Sequence, residues 1–196
     1  MPIIEPIPIE ELSPSSRAII EGGVADGLYA TPLPLQVFAY RTALLETIHA
    51  KRLNAGAGTL LGGRILELLR IRSAQLGECQ PCMQSRKHDS ITDDDVACLI
   101  DADHLDLDPQ ERMAIRFLDL LSADHHAIDA DFYRELAGVF TIGQIVELGT
   151  TCAESMGLHR FIHTLDIFGT DPPVLPFAPG QVDASRAVDD GVPTGS

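Results

Sequence analysis

The sequence predicts an all-helical, single-domain protein. Three observations lead there: apolar residues recur at helical spacing through the middle of the chain, three helix-start signatures follow one another in its second half, and no hairpin signal occurs. At 196 residues the chain can bury a core without staples and fits one domain. Its 45% hydrophobic and 22% charged side chains are those of a globular chain, neither disordered nor fibrous. Ordinary helix lengths then give a bundle of about six to eight helices.

Taken in order, residues 1–34 read as a Pro-rich arm. Ser13-Pro14-Ser15-Ser16 and Gly22-Gly23 interrupt it and leave room for one short helix over 16–21. The main domain is expected over 35–170. Its first helix is predicted over 35–50, where Val37, Phe38, Leu44, Leu45 and Ile48 recur at helical spacing before Asn54-Ala55-Gly56-Ala57-Gly58 punctuates the chain. Residues 60–76 hold Ile65, Leu66, Leu68, Leu69, Ile71 and Leu76, too many for one stripe, so this helix should be covered on several sides. It should stop near Gly77, and Pro81 suits the first turn of a new helix opening at Cys79 or Gln80. Capping boxes are predicted at Thr92 with Asp95, Asp108 with Glu111, and Thr141 with Gln144. A shorter helix is expected over 132–139. Residues 171–196, with Pro172-Pro173, Pro176 and Pro179-Gly180, have no apolar period and read as an extended tail.

Fourteen basic against 29 acidic side chains give a formal charge of −15, which repels phosphate backbones and anionic membranes and argues against nucleic acid as a partner. No apolar run is long enough to span a bilayer, and Met1-Pro2-Ile3-Ile4-Glu5-Pro6 lacks the features of a signal peptide, so a cytoplasmic location is expected. In a reducing compartment a close pair of cysteines points to redox chemistry or metal rather than to a structural framework. Cys98 and Cys152 stand alone among apolar or small neighbours and read as buried hydrophobes.

Cys79-Gln80-Pro81-Cys82 is the chemical centre of the sequence. On a helix, positions i and i+3 share a face, so the two sulfurs can cycle between dithiol and disulfide. A helix N-terminus, together with Arg86 and Lys87, would favour the nucleophilic thiolate. The same motif also fits half a zinc site, completed by His88 and either Cys98 or His104, or two purely structural thiols. Glu67, flanked by Leu66 and Leu68, is a candidate for proton exchange if its surroundings are apolar; the alternative is a pairing with Arg70 or Arg64. His159 and His163 share a helix face and are held as candidates bordering the cysteines, with no third metal ligand in view.

With Glu67 twelve positions before Cys79, inside the stretch from Arg64 to Glu78, and with Thr92-Asp93-Asp94-Asp95-Val96, Glu111-Arg112-Met113-Ala114 and Ile145-Val146-Glu147-Leu148 following, residues 35–168 resemble the carboxymuconolactone decarboxylase and alkylhydroperoxidase D superfamily. In its alkylhydroperoxidase branch the resemblance implies an all-α bundle of the alkylhydroperoxidase D-like type. It also implies Cys82 as the residue that attacks a hydroperoxide, Cys79 as the one that resolves it, and Glu67 as a proton relay. No bound cofactor and no metal are implied. The partners implied are a small hydroperoxide or disulfide substrate, a thiol reductant protein and further copies of the chain, in a trimer or a hexamer. One departure stands out: where the family has a histidine four residues after the second cysteine, this chain has Arg86, and His88 lies two further on. Two other readings share the scaffold: a lyase of the decarboxylase type, and a non-catalytic redox-sensing or binding oligomer.

Overall fold

A computed structural model describes residues 1–53, 58–84, 87–88, 91–99 and 107–169. Every regular element among them is helical and none is a strand. The expected tail, residues 171–196, and Arg86 lie outside the described residues.

Helix α1, Pro14–Ala25, opens where the Ser13 hydroxyl accepts the Ser16 N–H at 3.2 Å, with Pro14 in the first turn. It is longer than the predicted 16–21 because Gly22-Gly23 lies inside it rather than breaking it. A Cβ on Gly23 would come within 2.4 Å of the Tyr29 ring, so this glycine serves the close approach of an aromatic. The predicted helix over 35–50 is two helices, α2 (Leu33–Phe38) and α3 (Thr42–Leu53), joined by a 3-10 turn at Ala39–Arg41. The tighter turn shifts the helical phase, which lets Val37, Phe38, Ala39 and Leu45 all be buried while Tyr40 faces out.

Helix α4, Gly63–Leu76, is the hub, packed against α5 (Gln80–Gln84), α7 (Pro109–Ala123) and α9 (Ile142–Thr164). Its apolar side chains feed three buried clusters. Leu69 packs among Phe117, Leu118, Leu148 and Cys152. Leu68 and Ile71 meet Val96, Leu99 and Ile115, and Ala74 meets Ile20, Leu35, Phe38, Leu45 and Cys79. This is the several-sided burial its apolar density predicts. Arg72 is buried as well and is held by Asp119 of α7 at 2.8 and 3.2 Å.

The three capping boxes form as predicted. They open α6 (Asp93–Cys98), α7 and α9, with the cap hydroxyl or carboxylate accepting at 3.1, 2.8 and 3.3 Å. The short helix expected over 132–139 is α8, Ala130–Val139, capped by Asp129. The first dozen residues strap onto the bundle: Ile3 N–H donates to Leu165 O at 2.9 Å, and Gln36 Nε2 to Ile7 O at 2.8 Å. Among the described residues no single helix is long and apolar enough to cross a membrane.

Candidate functional site

The site is built at the end of α4. Gly77 caps the helix with φ of −101°, and the left-handed residue is Glu78, at φ 52°. The helix ends where the sequence predicts, at Gly77. A Cβ there would meet His159 Cβ at 2.8 Å and the Arg160 backbone nitrogen at 3.2 Å, so glycine is needed because α9 passes so close. The reversal at Glu78 lets Cys79 N–H return to Ala74 O at 2.9 Å, and α5 starts at Gln80, at a position the sequence predicts. The helix has only five residues, too few for the macrodipole the sequence suggests as a source of thiolate stabilisation.

Cys79 and Cys82 are bonded to each other, with Cα atoms 5.3 Å apart. Cys79 is completely buried, whereas Cys82 is partly exposed and lines a cavity of about 90 Å³. In that measure one water takes about 10–15 Å³, so the space admits several waters or the working end of a small organic molecule. Leu28, Tyr29 and Pro34 form one wall, Phe38 and Ile48 another, and Leu158, His159 and Ile162 of α9 close it from behind. Its charged lining among the described residues is cationic, Arg52, Arg70 and Lys87, beside the neutral polar side chains of Tyr29, Thr31 and His159.

Glu67 is buried one turn before Arg70 and is bridged by it through two hydrogen bonds of 2.8 Å. It also accepts the Lys87 backbone N–H at 2.7 Å, while Arg70 Nη1 donates to Cys82 O at 2.6 Å. The pairing with Arg70, one of the two alternatives for this residue, is the one realised; its surroundings are a guanidinium and an amide rather than an apolar pocket. The pair also holds the site together. It ties α4 to the carbonyl of Cys82 and to the strand of chain that follows α5.

His159 joins the site, whereas His163 and His88 do not line the cavity, and His104 lies outside the described residues. His159 Nδ1 lies 2.9 Å from the Ser73 hydroxyl, and the residue is buried and borders the cavity. Burial and the nearby Arg70 and Arg52 push its pKa down to about 3, so the ring is neutral at ordinary pH. His163 instead faces Glu78 Oε2 at 3.5 Å, and His88 packs against the start of α4, where a Cβ on Gly63 would come within 2.8 Å of its ring. Cys152 is a buried thiol whose pKa is pushed up to about 12 by burial and by Asp119, which leaves it inert, as its neighbours in the sequence suggest. Among the described residues no three His, Cys, Asp or Glu side chains gather in a way that could hold a metal ion.

Arg52, Tyr29 and Ser73 belong to the site and have no signal in the sequence. Arg52 looks like an ordinary cation in the last turn of a helix. Tyr29 reaches the cavity only because its ring lies on Gly23 and its hydroxyl meets His49 Nδ1 at 2.9 Å. Compared with family models, curated proteins and solved structures, the chain matches none.

Proposed function

We propose that the chain is a thiol-dependent hydroperoxide reductase of the alkylhydroperoxidase D-like type, working in the cytoplasm with a dithiol reductant. One observation carries this reading: a bonded C-x-x-C pair opens, through its less buried member alone, onto a small apolar cavity lined by cations. The resemblance of residues 35–168 to that superfamily agrees with it, as does the all-helical fold.

In the reduced protein the Cys82 thiolate attacks the terminal oxygen of R–O–O–H. The O–O bond breaks, Cys82 becomes a sulfenic acid, and the alkoxide leaves as R–OH after taking a proton. Cys79, buried directly behind it, then attacks the Cys82 sulfur and expels water, which returns the disulfide seen here. An external dithiol reduces that bond by exchange, so the sum is one hydroperoxide and one dithiol in, one alcohol, one water and one disulfide out. Arg70 and its neighbours favour the thiolate electrostatically, in place of a helix dipole. Glu67, beside the pair through Arg70, is assigned to the proton relay.

Association into a homo-oligomer belongs to the same reading. Exposed Ile142 and Val146 on α9, with Leu60 beside Gly143, supply apolar surface at one end of the molecule for it.

The test is hydroperoxide consumption by the reduced protein with a small dithiol donor. We expect Cys82→Ser and Cys79→Ser each to lose turnover at least 100-fold, and Glu67→Gln to lose it at least tenfold. Consumption that survives Cys82→Ser would reject the reading and favour a lyase on the same scaffold.

A further inference from the structure

The cavity beside Cys82 is chemically lopsided. The sequence carries 29 acidic and 14 basic side chains, yet among the described residues three basic ones line this small space and no acidic one does. Each cation is placed differently. Arg70 spends two of its donors on Glu67 and a third on Cys82 O. Lys87 sits at the exposed rim, and its ammonium donates to the Gly27 carbonyl, which is neutral. Arg52, partly buried at the end of α3, has neither a hydrogen bond nor an ion pair among the described residues.

A guanidinium withdrawn from water without a carboxylate is costly, and the cost is relieved when an anion arrives. Burial and Arg70 both lower the pKa of Arg52, against smaller opposing effects of Tyr29 and Glu67, and burial, Arg70 and Arg52 lower that of Lys87, against Glu67; the net direction is that of cations crowded into one place. Most of the remaining lining, Leu28, Leu35, Phe38, Ile48 and Leu158 among it, is apolar and suits a hydrocarbon rather than a sugar or a nucleotide, with Tyr29, Thr31 and His159 as the neutral polar groups. A volume of about 90 Å³ excludes a folded partner and fits a short chain or a single ring.

We propose that this cavity binds a small amphipathic carboxylate, its carboxylate on Arg52 and Lys87 and its hydrocarbon against Phe38 and Ile48. The anion site stands on the cavity itself. That the natural ligand is a carboxylate-bearing hydroperoxide, held with its peroxide end toward Cys82, rests in addition on the peroxidase reading above. The arrangement gives the enzyme a preference among hydroperoxides: charged, short-chain acids before neutral alkyl peroxides.

Binding and turnover test the two parts separately. Titration calorimetry of the disulfide form with hexanoate and with 1-hexanol compares one hydrocarbon with and without the charge. Hexanoate should bind at least tenfold more tightly, and Arg52→Gln and Lys87→Gln should each remove most of that advantage while circular dichroism stays native. Equal affinities for acid and alcohol, or an advantage that survives both substitutions, would overturn the anion site. Turnover of a carboxylate-bearing hydroperoxide is then compared with that of its methyl ester, and the acid should have the higher kcat/KM, with the ratio collapsing in Arg52→Gln. Charge-dependent hexanoate binding with no consumption of either hydroperoxide would leave the anion site standing and reject the peroxidase reading. Equal turnover of acid and ester would keep that reading and reject the substrate class.

Discussion

His159 shows how one side chain couples the site to the stability of the fold. It is buried against Ser73, with Arg70 and Arg52 close enough to oppose a second positive charge, and its pKa falls from 6.5 to about 3. Between those values the unfolded chain takes up a proton that the folded chain refuses, so the contribution of His159 is fully present above pH 6.5 and is lost as the pH falls toward 3. The slope from one such group is about 1.4 kcal/mol per pH unit. His159→Gln, which cannot titrate, should flatten the acid side of the stability profile by about that amount between pH 5.5 and 4.5. Urea unfolding of both proteins at the two pH values measures it, and parallel profiles would show that the ring takes a proton in the folded state. His159 was legible as a neighbour of the cysteines only through its place on the last long helix. Its neutrality was not, because that follows first from burial in the folded bundle and then from Arg70 and Arg52 arriving from two other helices.

Between helices, the contact of α4 with α9 is the one that sets the geometry of the cysteines. It is made at Gly77, whose missing Cβ leaves room for the backbone of His159 and Arg160. Gly77→Ala would place a methyl group 2.8 Å from His159 Cβ, and a backbone neighbour cannot rotate away as a side-chain tip can. We expect a loss of about 1–3 kcal/mol in unfolding experiments, together with a faster reaction of the reduced Cys82 with a small alkylating reagent as the cavity wall shifts. A stable, unreactive Gly77→Ala protein would mean that α9 can move aside without cost. The sequence marks Gly77 as the helix end but not as a close contact, since a helix-ending glycine and a close-contact glycine look alike when only neighbours along the chain are visible. The capping boxes at Thr92, Asp108 and Thr141 were legible because all of their chemistry lies within four consecutive residues. The division of residues 35–50 into α2 and α3 was not, because along the chain apolar residues recur every three or four positions whether or not a 3-10 turn interrupts the helix.

At the level of the whole molecule, the helical class is written in the periodicity of residues 60–76 and of the segment that becomes α9, which packs on α4. The cavity is written nowhere, since Tyr29, Arg52 and His159 come from three separated segments and meet only when the arm folds back over α3 and α9. A redox centre in such a fold has to open and close without taking the bundle with it. The Cys79–Cys82 bond closes a loop of separation 3, and for so short a loop the chain-entropy relation gives about 2 kcal/mol of stabilisation. The clusters around Leu69 and around Leu68 and Ile71 lie on other faces of α4 and contain neither cysteine. Reduction should therefore lower the unfolding free energy by about 2 kcal/mol or less and leave the helical content unchanged. Circular dichroism and urea unfolding with and without a dithiol measure both quantities in one experiment. A reduced protein that loses helix at neutral pH would make the bond structural and would remove the cycle on which the peroxidase reading depends. An unchanged spectrum with a modest drop in midpoint is what a pair that is opened and re-formed at every turnover requires.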